Sequence, residues 1–157
     1  VACGTNHIAA IITDGTLWAW GLNVSGEVGN NYINTNVCTP VTTFAGGTNW
    51  KQVDCSSHTA AIKTDGTLWA WGNNNNGRLG NNTTTFPNTP VTTFAGGNTW
   101  KQVACGYTST AAIKTDGTLW TWGRNSYGNL GDNTSTLQIF TPITTFAGGT
   151  KIGRAHV

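Results

Sequence analysis

The nonapeptide TDGTLWAWG occupies Thr13–Gly21, recurs unchanged at Thr64–Gly72, and returns at Thr115–Gly123 with Thr121 in place of one Ala. The step is 51 residues both times, so the chain is three copies of one unit. A unit that short buries too little apolar surface by itself and must stack on its neighbours.

Within the nonapeptide, an Asp-Gly pair separates two hydrophobic runs, a strong local signal for a β-hairpin. The pairs Asp14-Gly15, Asp65-Gly66 and Asp116-Gly117 are predicted to be two-residue turns with both residues at positive φ. The incoming strands read HIAAII, HTAAIK and STAAIK, and the outgoing ones TLWAW, TLWAW and TLWTW. Side chains alternate across a strand, so Leu17 and Ala19 share one face and Trp18 and Trp20 the other. Neither face is polar, which predicts sheets stacked face to face. Six of the eight tryptophans fall in these three strands. Each indole hides roughly 150–250 Å² when buried, about 4–6 kcal/mol as an upper bound, and all six are expected in the core.

Helical periodicity is missing, and 9% charged residues are too few to clothe helices. No apolar run approaches membrane-spanning length. The opening Val1-Ala2-Cys3-Gly4 matches Val103-Ala104-Cys105-Gly106 inside a unit, and the chain lacks Met, so both ends are read as cut. After the third FAGG the register calls for Trp at 152, but Ile152 stands there. One frame of a common sequencing adapter encodes the hexapeptide Ile152–Val157. Residues 150–157 are therefore expected to be a non-native tail on an environmental DNA fragment, and are set aside. Without Lys151 and Arg154 the basic residues fall from 8 to 6, against 6 acids. The electrostatic argument for nucleic acid or an anionic membrane falls with them.

Each unit divides into four short strands, seen whole in the middle one as WKQVDC (Trp50–Cys55), HTAAIK (His58–Lys63), TLWAWG (Thr67–Gly72) and TPVTTF (Thr89–Phe94). The units run about 1–47, 48–97 and 98–149. A Gly-Asn loop follows the third strand (GLNVSGEVG, GNNNNGRLG, GRNSYGNLG), and after it comes the least repetitive part of each unit. Four short strands per repeat is the pattern of propeller blades. The assembled pattern VACG–HTAAI–DGTLWAWG–N–G–LG–TPV resembles the regulator of chromosome condensation repeat family over Val1 to about Gly149. The resemblance implies an all-β fold: a partial β-propeller of three four-stranded antiparallel blades in an open arc, part of a typically seven-bladed ring.

Chemistry is sparse. Cys3, Cys55 and Cys105 share one repeat position and are expected as buried free thiols, because equivalent positions on neighbouring blades are too far apart for a disulfide. Cys38 lies outside the pattern. His7 and His58 are expected to hydrogen-bond backbone near a blade turn, since a zinc site needs four ligands and the third unit has Ser109 instead. The Gly-x-x-x-x-Gly loops lack the Lys-Ser/Thr of a phosphate loop; Glu27, Arg78 and Asn129 follow the second glycines. No carboxylates pair. The Asn-x-Ser/Thr triplets at Asn23, Asn81, Asn82 and Asn133 are expected by chance in so Asn-rich a chain.

The reading is a non-enzymatic protein-interaction scaffold with no cofactor, no metal, no nucleic acid and no membrane insertion; its partners are a protein and the remaining blades of the same chain. The composition suits a secreted, cell-surface or phage protein. One alternative is a carbohydrate-binding propeller with a glycan partner. Another is part of an enzyme or exchange factor whose active elements lie in further blades. Segments 31–38, 81–88 and 132–140 differ between units while their flanks stay fixed, and they carry apolar residues where idle loops would be polar. Tyr32, Ile33, Phe86, Leu137 and Ile139 are the expected partner-binding residues, whereas Phe140, beside Thr141-Pro142, is equally suited to cover a blade edge.

Overall fold

The computed structural model describes residues 1–87 and 89–145; the expected tail at 150–157 lies outside the described residues. Among the described residues twelve strands form three sheets. The first holds β1 (Ala2–Cys3), β2 (His7–Ile11), β3 (Leu17–Gly21) and β4 (Val37–Thr42). The second holds β5 (Trp50–Cys55), β6 (His58–Lys63), β7 (Leu68–Gly72) and β8 (Val91–Thr92). The third holds β9 (Trp100–Cys105), β10 (Ser109–Lys114), β11 (Leu119–Arg124) and β12 (Gln138–Thr144). Each is an antiparallel meander in chain order. The described residues contain no helix.

The hairpin tips are one residue longer than expected. Gly15 N–H donates to Ile12 C=O at 2.9 Å and Ile12 N–H to Thr16 C=O at 3.1 Å, closing a three-residue loop. Of the pair, only Gly15 has positive φ, at 82°, the pattern of a turn followed by a left-handed bulge residue. Asp14 serves through its side chain. Its Oδ1 accepts from Thr16 N–H at 2.8 Å and Thr16 Oγ1 at 2.7 Å, and Thr16 Oγ1 accepts the Trp18 indole N–H at 2.8 Å. The relay repeats as Asp65–Thr67–Trp69 and Asp116–Thr118–Trp120. A Cβ at Gly15 would meet Thr48 C=O at 2.1 Å, because the segment leading into the next blade's first strand crosses the tip. There Trp50 N–H bonds Gly15 C=O at 3.1 Å.

Consecutive sheets stack with the Leu/Ala face of one against the Trp face of the next. Leu17 and Ala19 pack with Trp50, Ala61 and Trp71; Leu68 and Ala70 pack with Trp100, Ala112 and Trp122. The expectation that all six strand tryptophans are core needs correcting. Trp71 and Trp122 are buried, but Trp18, Trp69 and Trp120 are half-buried at the hairpin end, and Trp20 is half-buried on the uncovered face of the first sheet. Lys63 Nζ lies 4.7 Å from the ring centres of Trp50 and Trp69, and Lys114 repeats the arrangement on Trp100 and Trp120. Cys3 is also exposed at the uncovered end and Cys105 is half-buried, both against expectation, while Cys55 is buried; all four cysteines are free. The outer strand of the second blade shrinks to two residues. Pro87, peculiar to that blade, has no N–H to give a ladder.

Candidate functional site: the loop end of the blades

The β1–β2, β5–β6 and β9–β10 turns and the long third-to-fourth-strand connections emerge at one end of the blades, opposite the Asp-Gly hairpins. Each long connection is organised by a fully buried asparagine. Asn23 Oδ1 accepts Val28 N–H at 3.0 Å, and its Nδ2 donates to Asn30 Oδ1 at 3.1 Å and Tyr32 C=O at 2.9 Å. Asn74 and Asn125 repeat this with Leu79 and Leu130. These residues were not singled out in the sequence beyond Asn23 as a chance glycosylation triplet; the signal was an Asn two residues after each WG. With both amide atoms engaged and no exposed surface, Asn23 is closed to modification in the folded chain.

Beyond these anchors the segments diverge. Tyr32 is 69% exposed, Ile33 45%, Phe86 44% and Leu137 62%. Ile139 lies in β12, half-buried opposite Gly123. Phe140 packs its ring on Gly77 of the preceding blade, where an added Cβ would meet Cδ1 at 2.4 Å. Its carbonyl accepts Asn82 N–H at 3.0 Å. It thereby ties the third segment to the second and acts as a packing residue.

Between blades the geometry repeats more closely. Glu27 C=O accepts the Trp71 indole N–H at 2.9 Å and the Thr59 hydroxyl at 2.8 Å. Having given up its one proton, Thr59 Oγ1 accepts from His7 Nε2 at 2.8 Å. Arg78 C=O, Trp122, Thr110 and His58 form the same joint one blade on. The histidines thus meet a threonine side chain of the next blade, not backbone as expected. Burial lowers His7 to about 4 and His58 to about 3, so both are neutral at physiological pH. Gly29 fits under the Trp71 indole, which a Cβ there would meet at 2.6 Å.

The side chains at the two joints differ in charge. Arg78, 4% exposed, lies between two turns: Nη1 donates to Ser57 Oγ and to Tyr107 C=O at 2.7 Å, and Nη2 to Asn76 Oδ1 at 3.1 Å. Glu27, 5% exposed, borders a cavity of about 150 Å³ whose walls include Thr5, Asn6, Ser56, Ser57 and Tyr107. The visible sequence signal was one repeat position carrying Glu, Arg and Asn between fixed glycines.

Burial pushes Cys55 up to about 12 and Cys105 well above the ordinary thiol value, which keeps both as thiols rather than nucleophilic thiolates at neutral pH. Among the described residues no group of three His, Cys, Asp or Glu side chains could hold a metal.

Stacked four-stranded meanders with loops gathered at one end define a repeat β-propeller. Two profiles described as the regulator of chromosome condensation (RCC1) repeat match the chain, one over residues 65–113 and 116–152, the other over 1–27, 51–78 and 100–129. The chain belongs to that family. Similar proteins include human E3 ubiquitin-protein ligase HERC2, 31% identical over 83% of this chain and 3% of its own length. Another is the ultraviolet-B receptor UVR8 of Arabidopsis thaliana, 34% identical over 83% of this chain and 30% of its own. Among solved structures, yeast RCC1 (Prp20) bound to Kap60 superposes with a TM-score of 0.84 at 19% identity, over 94% of this chain and 37% of that one. The chain therefore spans a third or less of these two curated relatives.

Proposed function

We propose that this chain is a non-enzymatic protein-interaction scaffold which meets its partner through the divergent segments. Tyr32, Ile33, Phe86 and Leu137 are the contact residues, and Ile139 flanks them on the outer strand. The observation that carries this reading is the contrast within each connection. A buried, fully bonded Asn fixes the base while large apolar side chains stand in water at the tip. Aromatic and apolar groups held that way are enriched at the centres of interfaces. Relatives support a protein partner: solved structures show yeast RCC1 (Prp20) bound to Kap60, and describe the binding of Prp20p to Gsp1p and histones. The uncovered faces of the first and third blades take further blades of the same kind.

The test is to capture partners on the chain and then replace Tyr32, Phe86 and Leu137 together with Ser. Capture should fall at least tenfold with little change in melting temperature. A lower melting temperature with unchanged capture would make these packing residues. Saturable binding on a glycan array by the unsubstituted chain would favour the carbohydrate reading instead.

A further inference from the structure

The joint between the second and third blades shows how an interblade groove of this protein accommodates a guanidinium. Arg78 reaches into the groove from the blade preceding it and is almost wholly buried. It is bonded to a serine hydroxyl, a main-chain carbonyl and an asparagine side chain. The turns that receive it, β5–β6 and β9–β10, have counterparts in β1–β2 and β5–β6 around the preceding groove. There the equivalent side chain is Glu27, and the space is open. The cavity of about 150 Å³ is bordered by Thr5, Asn6, Ser56 and Ser57, with Glu27 in its wall. The carboxylate accepts a hydrogen bond from Ser25 N–H at 2.9 Å on Oε2, and no described basic side chain pairs with it. His7, also in the lining, is held neutral by its burial. One groove thus carries its own guanidinium, and the other carries the opposite charge with room beside it.

A nine-tenths buried carboxylate with spare acceptor capacity favours a cation, and the rest of the lining decides which. A calcium ion takes six to eight oxygen ligands, and one carboxylate falls short. An ammonium is a compact, strongly hydrated charge. A guanidinium is planar, less hydrated, and presents five N–H donors in a fork that pairs with a carboxylate while its outer donors meet hydroxyl and amide oxygens. Thr5, Asn6 and Ser56 carry such oxygens in the lining, whereas Ser57 Oγ is already engaged by Arg78 and Tyr107 C=O.

We propose that the groove between the first and second blades is a receptor for an arginine side chain of another protein, with Glu27 as its counter-charge. The site is separate from the apolar loop tips. It draws on the protein-binding reading only for the source of the arginine.

Equilibrium dialysis of the whole chain against labelled methylguanidinium at low ionic strength tests it. Saturable binding at one site is expected, at least tenfold weaker in Glu27→Gln. In Glu27→Arg it should be lost, with a raised melting temperature, because the new side chain fills the cavity as Arg78 fills the next. The Tyr32, Phe86 and Leu137 serine variant should bind methylguanidinium unchanged, so failure of the loop-tip reading would not be mistaken for failure of this one. Absence of saturable binding, equal binding by Glu27→Gln, a lowered melting temperature in Glu27→Arg, or equal affinity for methylammonium would each overturn the assignment.

Discussion

Trp20 and Trp71 hold the same penultimate place in identical nonapeptides, Thr13–Gly21 and Thr64–Gly72, yet share little of their surroundings. Trp71 is fully buried, its indole N–H bonded to Glu27 C=O, its ring roofed by Gly29 and set edge-on to Trp50 at 6.2 Å. Trp20 lies half-buried on a face with no blade against it. The same sequence yields the same strand and turn in both places, so those are local properties. Burial is not: it comes from the loop of the preceding blade.

The largest expected effect follows directly. Trp71→Ala removes a fully packed indole and should cost about 3–5 kcal/mol, whereas Trp20→Ala should cost about 1–2 kcal/mol. Denaturant midpoints of the two variants measure the gap, and equal losses would break the comparison.

Acid probes the joints next. His7 and His58 have folded-state values below the ordinary histidine value, so from about pH 6.5 down to about 4 for His7 and about 3 for His58 the unfolded chain binds protons that the folded chain refuses. Stability should therefore fall as pH drops through that window. His58→Ser, the residue the third blade already uses at Ser109, should flatten the fall, as read from melting temperature against pH. An unchanged slope would remove the histidines from the joint. The turn aspartates Asp14, Asp65 and Asp116 are held below the ordinary carboxylate value, chiefly by hydrogen bonds from Thr16, Thr67 and Thr118. Their contribution is present above that value and is lost only in stronger acid, so it meets the histidine window only at its acid end.

The smallest effect is one that should not differ between blades. The Asp–Thr–Trp relay lies within a single hairpin, so Thr16→Val and Thr67→Val should each cost about 1 kcal/mol. A cost confined to Thr67 would mean that even the hairpin depends on its neighbour.

The architecture was legible because the 51-residue step and the Asp-Gly hairpins are encoded in adjacent residues. The turn form was misread because Asp14 works through its carboxylate on Thr16, a contact that backbone propensity does not reveal. Cys3 and Trp20 were misassigned to the core since their repeat positions are buried only where another blade lies against them. The loop-end chemistry was the least legible. Asn23 and Glu27 owe their roles to partners brought close by folding, and Ile139 looked like a loop residue until β12 extended back to Gln138.

The indole and hydroxyl of each next blade, Trp71 and Thr59 or Trp122 and Thr110, address a main-chain carbonyl, that of Glu27 or Arg78, whatever side chain is attached to it. Structure and message are therefore written on different atoms of one residue. A single substitution there can reverse the charge at a groove mouth while the main-chain carbonyl still holds the tryptophan and threonine of the next blade. A ring assembled from such units is a combinatorial surface, with as many independently variable characters as it has blades and one invariant grammar holding them in order.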